Sequence, residues 1–213
     1  MFAQDRDLLI LDPSLFRDGV ILGQRLAIGN ASIAATTLTM TGIDFAALGI
    51  TAGHVVIFDG AALEITARLS STTLTVSRPR ASTSAAVIPP ATATGRPMFI
   101  ATFAPQIALA HDTLIRFAGL TPAGETPTDD APAESTILNP AALITLETLT
   151  ALASIYSALA GLTPATSPAA QRAEHFRRRA AAARAATAIS LDLNADGLQD
   201  EVRHLDIISL FRV

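Results

Sequence analysis

The chain has 213 residues, half of them hydrophobic but only 5% aromatic, and a formal net charge of −4. The acidic balance argues against a general nucleic-acid binder, and the absence of cysteine excludes disulfides, thiolate zinc sites and cysteine nucleophiles. The length suits one large domain or two small ones. Much of the apolar half is alanine, which buries little area, so helices must approach closely or partner subunits must complete the burial. All fifteen basic residues are arginine, a side chain that keeps its charge and favours bidentate carboxylate or phosphate contacts. Met1–Asp7 is charged and lacks a signal-peptide core. No apolar run reads as long enough for a membrane span. The expectation is a soluble intracellular protein with no membrane partner.

Residues 1–30 read as an N-terminal arm. Leu8-Leu9-Ile10-Leu11, stopped by Asp12-Pro13, suggests a short strand or extended arm, either an edge strand of the following sheet or an exposed assembly element. Residues 31–103 are β in character. Ile33–Met40 alternates, His54–Phe58 is β-branched and apolar, and Asp59-Gly60 is a hairpin signal. Leu63–Arg68, Leu74–Ser77 and Pro97–Phe103 supply further strands. Short strands at turn-punctuated spacing imply a small barrel or sandwich. Between the last two, Ala81–Gly95 reads as a long loop that a neighbour would order.

Residues 104–189 change to helical period. Pro105 suits a first turn, Ile107, Ala110, Leu114 and Phe117 recur at helical spacing, and Gly119 ends the run. Residues 120–136, rich in Pro, Thr and acids, read as a linker or mobile loop. A helix is predicted over 139–160, capped by Asn139 with Pro140 at its first position. A second is predicted over 167–189, capped by Ser167, with a narrow alanine face. The short connection between them implies an antiparallel helical hairpin. The fold class expected is α+β: a small β-barrel or sandwich module, then a helical hairpin bundle, then a short C-terminal strand.

The last segment, 190–213, carries the most suggestive chemistry. In an EF-hand-type count, Asp192, Asn194 and Asp196 fall at positions one, three and five. Gly197 falls at six, the carbonyl of Leu198 at seven and Asp200 at nine. Position twelve, which needs a bidentate Glu, is Arg203, and Glu201 stands at ten. The stretch therefore reads as a tight Asx–Gly turn, with weak calcium binding as the alternative and no other cofactor expected. The apolar tail, Leu205, Ile207, Ile208, Leu210 and Phe211, suits strand addition to a neighbour.

Arg172, Arg177, Arg178, Arg179 and Arg184 cover much of the second helix. They form either a solvated face or a contact face for acidic protein or nucleic-acid backbone. The chain's acidity favours a protein partner, although a ring of such helices would also line a DNA channel. His54, His111, His175 and His204 are scattered and read as solvated or core histidines. Asp129-Asp130 read as solubilising, and Gly19–Gly29 lacks the context of a phosphate loop. No acid–base or nucleophile set stands out, so an enzyme is not expected.

The stretch from Leu143 to Tyr156, the arginine-rich helix Arg172–Arg184, Leu191–Gly197 and the apolar terminus together resemble the head–tail connector (adaptor, head-completion) proteins of tailed bacteriophages. Gly53–Gly60, Leu63–Ile65 and Thr72–Val76 are similar in cadence to small barrels of neck and tail proteins. The resemblance implies a structural virion protein that forms a homo-oligomeric, dodecameric ring. The ring would touch a portal protein on one side and a tail or stopper protein on the other. It would assemble in the bacterial host cytoplasm and reside in the virion neck.

Overall fold

The computed structural model describes residues 1–18, 23–128, 131–163 and 167–206. The protein is α+β, with a closed six-stranded antiparallel barrel and several helices. It divides into two compact units, one of residues 4–104 and one of residues 1–3 with 105–213.

The first unit begins with α1 (Asp5–Leu11) and the short α2 (Leu15–Asp18). The strand or arm expected at Leu8–Leu11 is thus a helix. Gln4 and Asp7 form a reciprocal capping box, and Asp5 and Asp7 place negative charge in the first turn, where the helix dipole favours it. Leu8 and Leu9 are fully buried, so the apolar run is spent on packing within the unit.

The barrel follows: β1 (Gln24–Ala34), β2 (Thr37–Thr39), β3 (Val55–Phe58), β4 (Ala61–Arg68), β5 (Thr73–Ser77) and β6 (Ala93–Thr102). Their order is β1-β2-β5-β4-β3-β6, with β6 closing on β1. Of the two sheet forms expected, the barrel is the one present. Its interior is filled by Ile33, Leu38, Phe45, Val56, Ile65 and Leu74, among others. Register shifts between Arg25 and Ala27, Ala31 and Ile33, and Ile65 and Ala67 mark irregularities of the kind that bend strands enough to close a small barrel. Asp59 and Gly60 both take positive φ, 48° and 81°, and make the two-residue hairpin between β3 and β4. The single strand expected over Ile33–Met40 is two, because Ala35 turns at φ 52° and β2 folds back on β1. The loop before β6 is held within its own unit: Arg80 donates to Thr83 O at 3.2 Å and Ala85 O at 2.6 Å, and Ile88 N donates to Ser77 Oγ at 2.8 Å.

The second unit contains α3 (Ala104–Phe117), a 3-10 turn (Glu134–Thr136), α4 (Ala141–Gly161), α5 (Pro168–Ala186) and the hairpin β7 (Ala188–Leu191) and β8 (Glu201–His204). Its core gathers Leu114, Ile115, Leu143, Leu146, Ile189 and Leu191, among others. The segment expected to be a linker, 120–136, is knitted over its described residues. Thr121 N donates to Pro132 O and Glu134 N to Thr121 O, both at 2.9 Å. Ser167 caps α5 as expected, accepting from Ala170 N. Asn139 does not cap α4: its side chain donates to Ala188 O and accepts from Ser190 N, at 3.1 and 2.8 Å. It ties the start of α4 to β7 instead.

By length and composition α4 is apolar enough to cross a membrane, with a mean hydropathy of 1.5 over its best window, contrary to the expectation from sequence. Yet 61% of that window is buried within the fold, and Glu147 lies wholly buried within it. These are the marks of a core helix.

Candidate functional site

The turn predicted at Asp192–Asp200 connects β7 to β8. Asp192 Oδ1 accepts from Asp196 N at 3.2 Å and its Oδ2 from Gly197 N at 2.8 Å. Asn194 Oδ1 also accepts from Asp196 N, at 3.0 Å, and Asp196 Oδ1 from Leu198 N, at 2.8 Å. From the far side, Asp200 Oδ2 accepts from Leu193 N and Asn194 N at 2.7 and 3.2 Å. Ala195 and Gly197 take positive φ, 61° and 82°. Every side chain named for a cation site is therefore used as an Asx-type backbone acceptor, with Asp196 and Asp200 exposed to solvent. Among the described residues no group of three or more His, Asp or Glu side chains is placed to hold a metal ion.

Arg203, which occupies the place of the missing bidentate acid, turns away from the loop. It donates to Ala118 O and Gly119 O, both at 3.0 Å, and pairs with Glu201 at 2.9 Å. The cation thus satisfies carbonyls at the C-terminal end of α3. Its hydrogen bond holds the Glu201 carboxyl below the usual carboxylate range. Glu201 is thereby also withdrawn from the loop.

The five arginines of α5 divide into two kinds. Three lie against aromatic rings: Arg172 over Tyr156 at 5.4 Å, Arg179 over Phe176 at 6.0 Å and Arg184 over Phe117 at 4.8 Å. Arg172 also donates to Tyr156 Oη at 2.9 Å. Tyr156 in turn stacks on Phe176 with ring centroids 5.6 Å apart, so aromatic contacts join α4 to α5 beneath the guanidinium groups. The other two share one acid. Arg178 Nε is 2.7 Å and Arg177 Nη1 3.7 Å from Glu174, and the side chains of Arg178 and Arg177 are 80% and 58% exposed. The hydrogen bond from Arg178 keeps the Glu174 carboxyl below its ordinary pKa. A shallow groove along this exposed side of α5 is lined by Gln171, Glu174, His175, Arg178 and Arg179.

Of the tail residues, Leu205 is buried and belongs to the unit's own core, so its side chain is not available to a partner. Ile207, Ile208, Leu210 and Phe211 lie outside the described residues, as do Asp129 and Asp130.

Two buried ionic clusters escaped the sequence reading. In the first unit, Glu64 accepts from Arg6 Nε at 2.8 Å and from Arg80 Nε at 2.5 Å. Beside it, Asp5 accepts from Phe103 N at 2.7 Å. Burial raises the Asp5 pKa against the pull of its bonds to Thr102 and Phe103. In the second unit, His111 places Nδ1 3.1 Å from Glu147 and Nε2 3.0 Å from Glu134. Glu147 also accepts from Phe2 N and Ala3 N, and the Phe2 ring stands edge-on to the imidazole at 4.9 Å. Burial opposes protonation of His111, but the two carboxylates outweigh it and hold its pKa above the ordinary value. The one sequence signal for this cluster was Glu147 itself, an acid set among the leucines of α4.

Comparison of the chain with protein-family models, with curated proteins and with solved structures finds no match to any of them.

Proposed function

We propose that the protein is a structural adaptor of a phage-type particle, a subunit of a homo-oligomeric ring seated between a portal and a tail component. The observation that carries this reading is the exposed side of α5. There arginines braced on aromatic rings stand beside Arg177 and Arg178, with a single acid among them. Braced guanidinium groups lose little side-chain entropy on contact, which suits an assembly surface. In this reading α4 and α5 act as the helical hairpin bundle, and β7–β8 supplies the C-terminal strand element. The ring works in the virion neck, after assembly in the host cytoplasm, and the arginine side of α5 faces protein.

The test is capture of the purified chain by the portal protein of the same genome, with light scattering on the complex. A ring-sized mass on portal is expected. A chain that ignores portal and adds no mass to it overturns the reading.

The alternative, a calcium-dependent binding module, draws on the spacing of Asp192, Asn194, Asp196 and Asp200. It is weakened by the backbone N–H groups that already occupy Asp192 and Asp200. Calorimetry with calcium would favour it if heat appeared for the wild type and vanished for Asp192→Ala.

A further inference from the structure

The C-terminal part of the second unit holds two patches of opposite charge. α5 carries five arginines and one acid, Glu174, whereas the loop 192–200 carries three aspartates and no base. Among the described residues neither patch neutralises the other. Arg177 and Arg178 pair with Glu174 on their own helix. The carboxylates of Asp192, Asp196 and Asp200 bind backbone N–H groups and the Asn194 amide. The base nearest the loop in sequence, Arg203, is committed to Glu201 and to the α3 carbonyls. Each copy therefore presents an exposed cationic helix side and an exposed anionic loop.

We infer that the arginine side of α5, centred on Arg178 and Arg179, docks the aspartate loop 192–200 of a second copy of this chain. The two patches differ in position, so the contact is heterologous and repeats from copy to copy, giving a ring if the rotation closes. The occupant is a second copy because it brings a preformed anionic loop whose charge is opposite to that of the arginine side; binding to a phosphate backbone is an outcome of the test. Arginine forks suit the carboxylates. The loop is fixed by its own hydrogen bonds, so little ordering is lost on docking.

The inference rests on the ring reading above and names the contact that would build the ring. Its test uses the full chain. Light scattering at low salt is expected to give an oligomer that dissociates towards the 22.1 kDa monomer as salt is raised, because exposed pairs are screened. R178E/R179E leaves α5 with three arginines against three acids, and D196R leaves the loop with two aspartates and a base; each alone is expected to run as monomer, with far-UV circular dichroism confirming that both are folded. Mixed in equal amounts, they are expected to associate again, since the unaltered arginine helix of D196R meets the unaltered aspartate loop of R178E/R179E.

A wild type that stays monomeric at low salt overturns the inference, as do variants that assemble like wild type or a folded mixture that stays monomeric. If R178E/R179E keeps the wild-type mass but loses binding to a short DNA duplex, the helix serves a phosphate backbone and the inference also falls. Portal capture is scored separately, so failure of this contact is distinguishable from failure of the adaptor reading.

Discussion

His111 shows how much a single residue carries that its sequence neighbourhood does not reveal. Its partners stand on other elements, Glu147 on α4 and Glu134 in the 3-10 turn, and nothing near position 111 announces them. A carboxylate at each ring nitrogen favours the protonated ring, in which both nitrogens donate. The amino group of Met1, 3.2 Å from Nε2, opposes that charge but does not outweigh the carboxylates. The folded pKa lies above the unfolded value of 6.5. The stability it contributes is therefore complete below the unfolded value and is lost as pH rises through the folded one. Wild-type melting temperature should fall as pH rises above the unfolded value of 6.5. His111→Gln should melt lower at the acid end, because Glu147 loses its buried counter-ion, and should show a flatter profile. Parallel profiles for the two proteins would remove His111 as the source. Arg203 gives the complementary lesson. Its place in the motif count was legible, but only the structure shows that it serves α3 and not the loop.

Elements with a strong period were legible and those with a short apolar run were not. β4 followed from alternation, β3 from its β-branched apolar run, and the turn between them from Asp59-Gly60, whose left-handed pair leaves a clear signal. The break between β1 and β2 was missed because Ala35 takes positive φ without being glycine or asparagine. Leu8–Leu11 is too short for period to separate helix from strand. The capping box of Gln4 and Asp7 settles it, and glutamine is a weak sequence signal for an N-cap. The turn at 192–200 is built from Asx acceptors, as its residue spacing suggests, and β7 and β8 flank it directly. Because Asp200 accepts from Leu193 N and Asn194 N, it clamps the base of that hairpin. Asp200→Ala should cost about 1–3 kcal/mol locally. Amide hydrogen exchange should quicken in β7 and β8 and stay unchanged in β3 and β6. Unchanged exchange in the hairpin would mean that the strands hold the loop and not the reverse.

At the scale of the molecule, the length suited one large domain or two small ones, and the chain divides into two compact units, each with a buried apolar cluster among its described residues. One is the barrel interior; the other gathers α3, α4, β7 and Leu205. The sequence concealed that residues 1–3 group with the second unit, because a contact as distant in sequence as Ala3 N on Glu147 leaves no local pattern. Two cores predict two melting events, and the chain carries its own reporter for one of them. Tyr156 is the single tyrosine and there is no tryptophan, so tyrosine fluorescence reads the helical unit alone, whereas far-UV circular dichroism reads both. Ile65 is buried in the barrel. Ile65→Ala should destabilise that unit by about 2–5 kcal/mol through lost transfer energy and the cavity left behind. The dichroism transition should then split, with an early strand-rich phase, while the tyrosine transition keeps its wild-type midpoint. A tyrosine transition that moves down with the dichroism would show instead that the two cores unfold as one cooperative body.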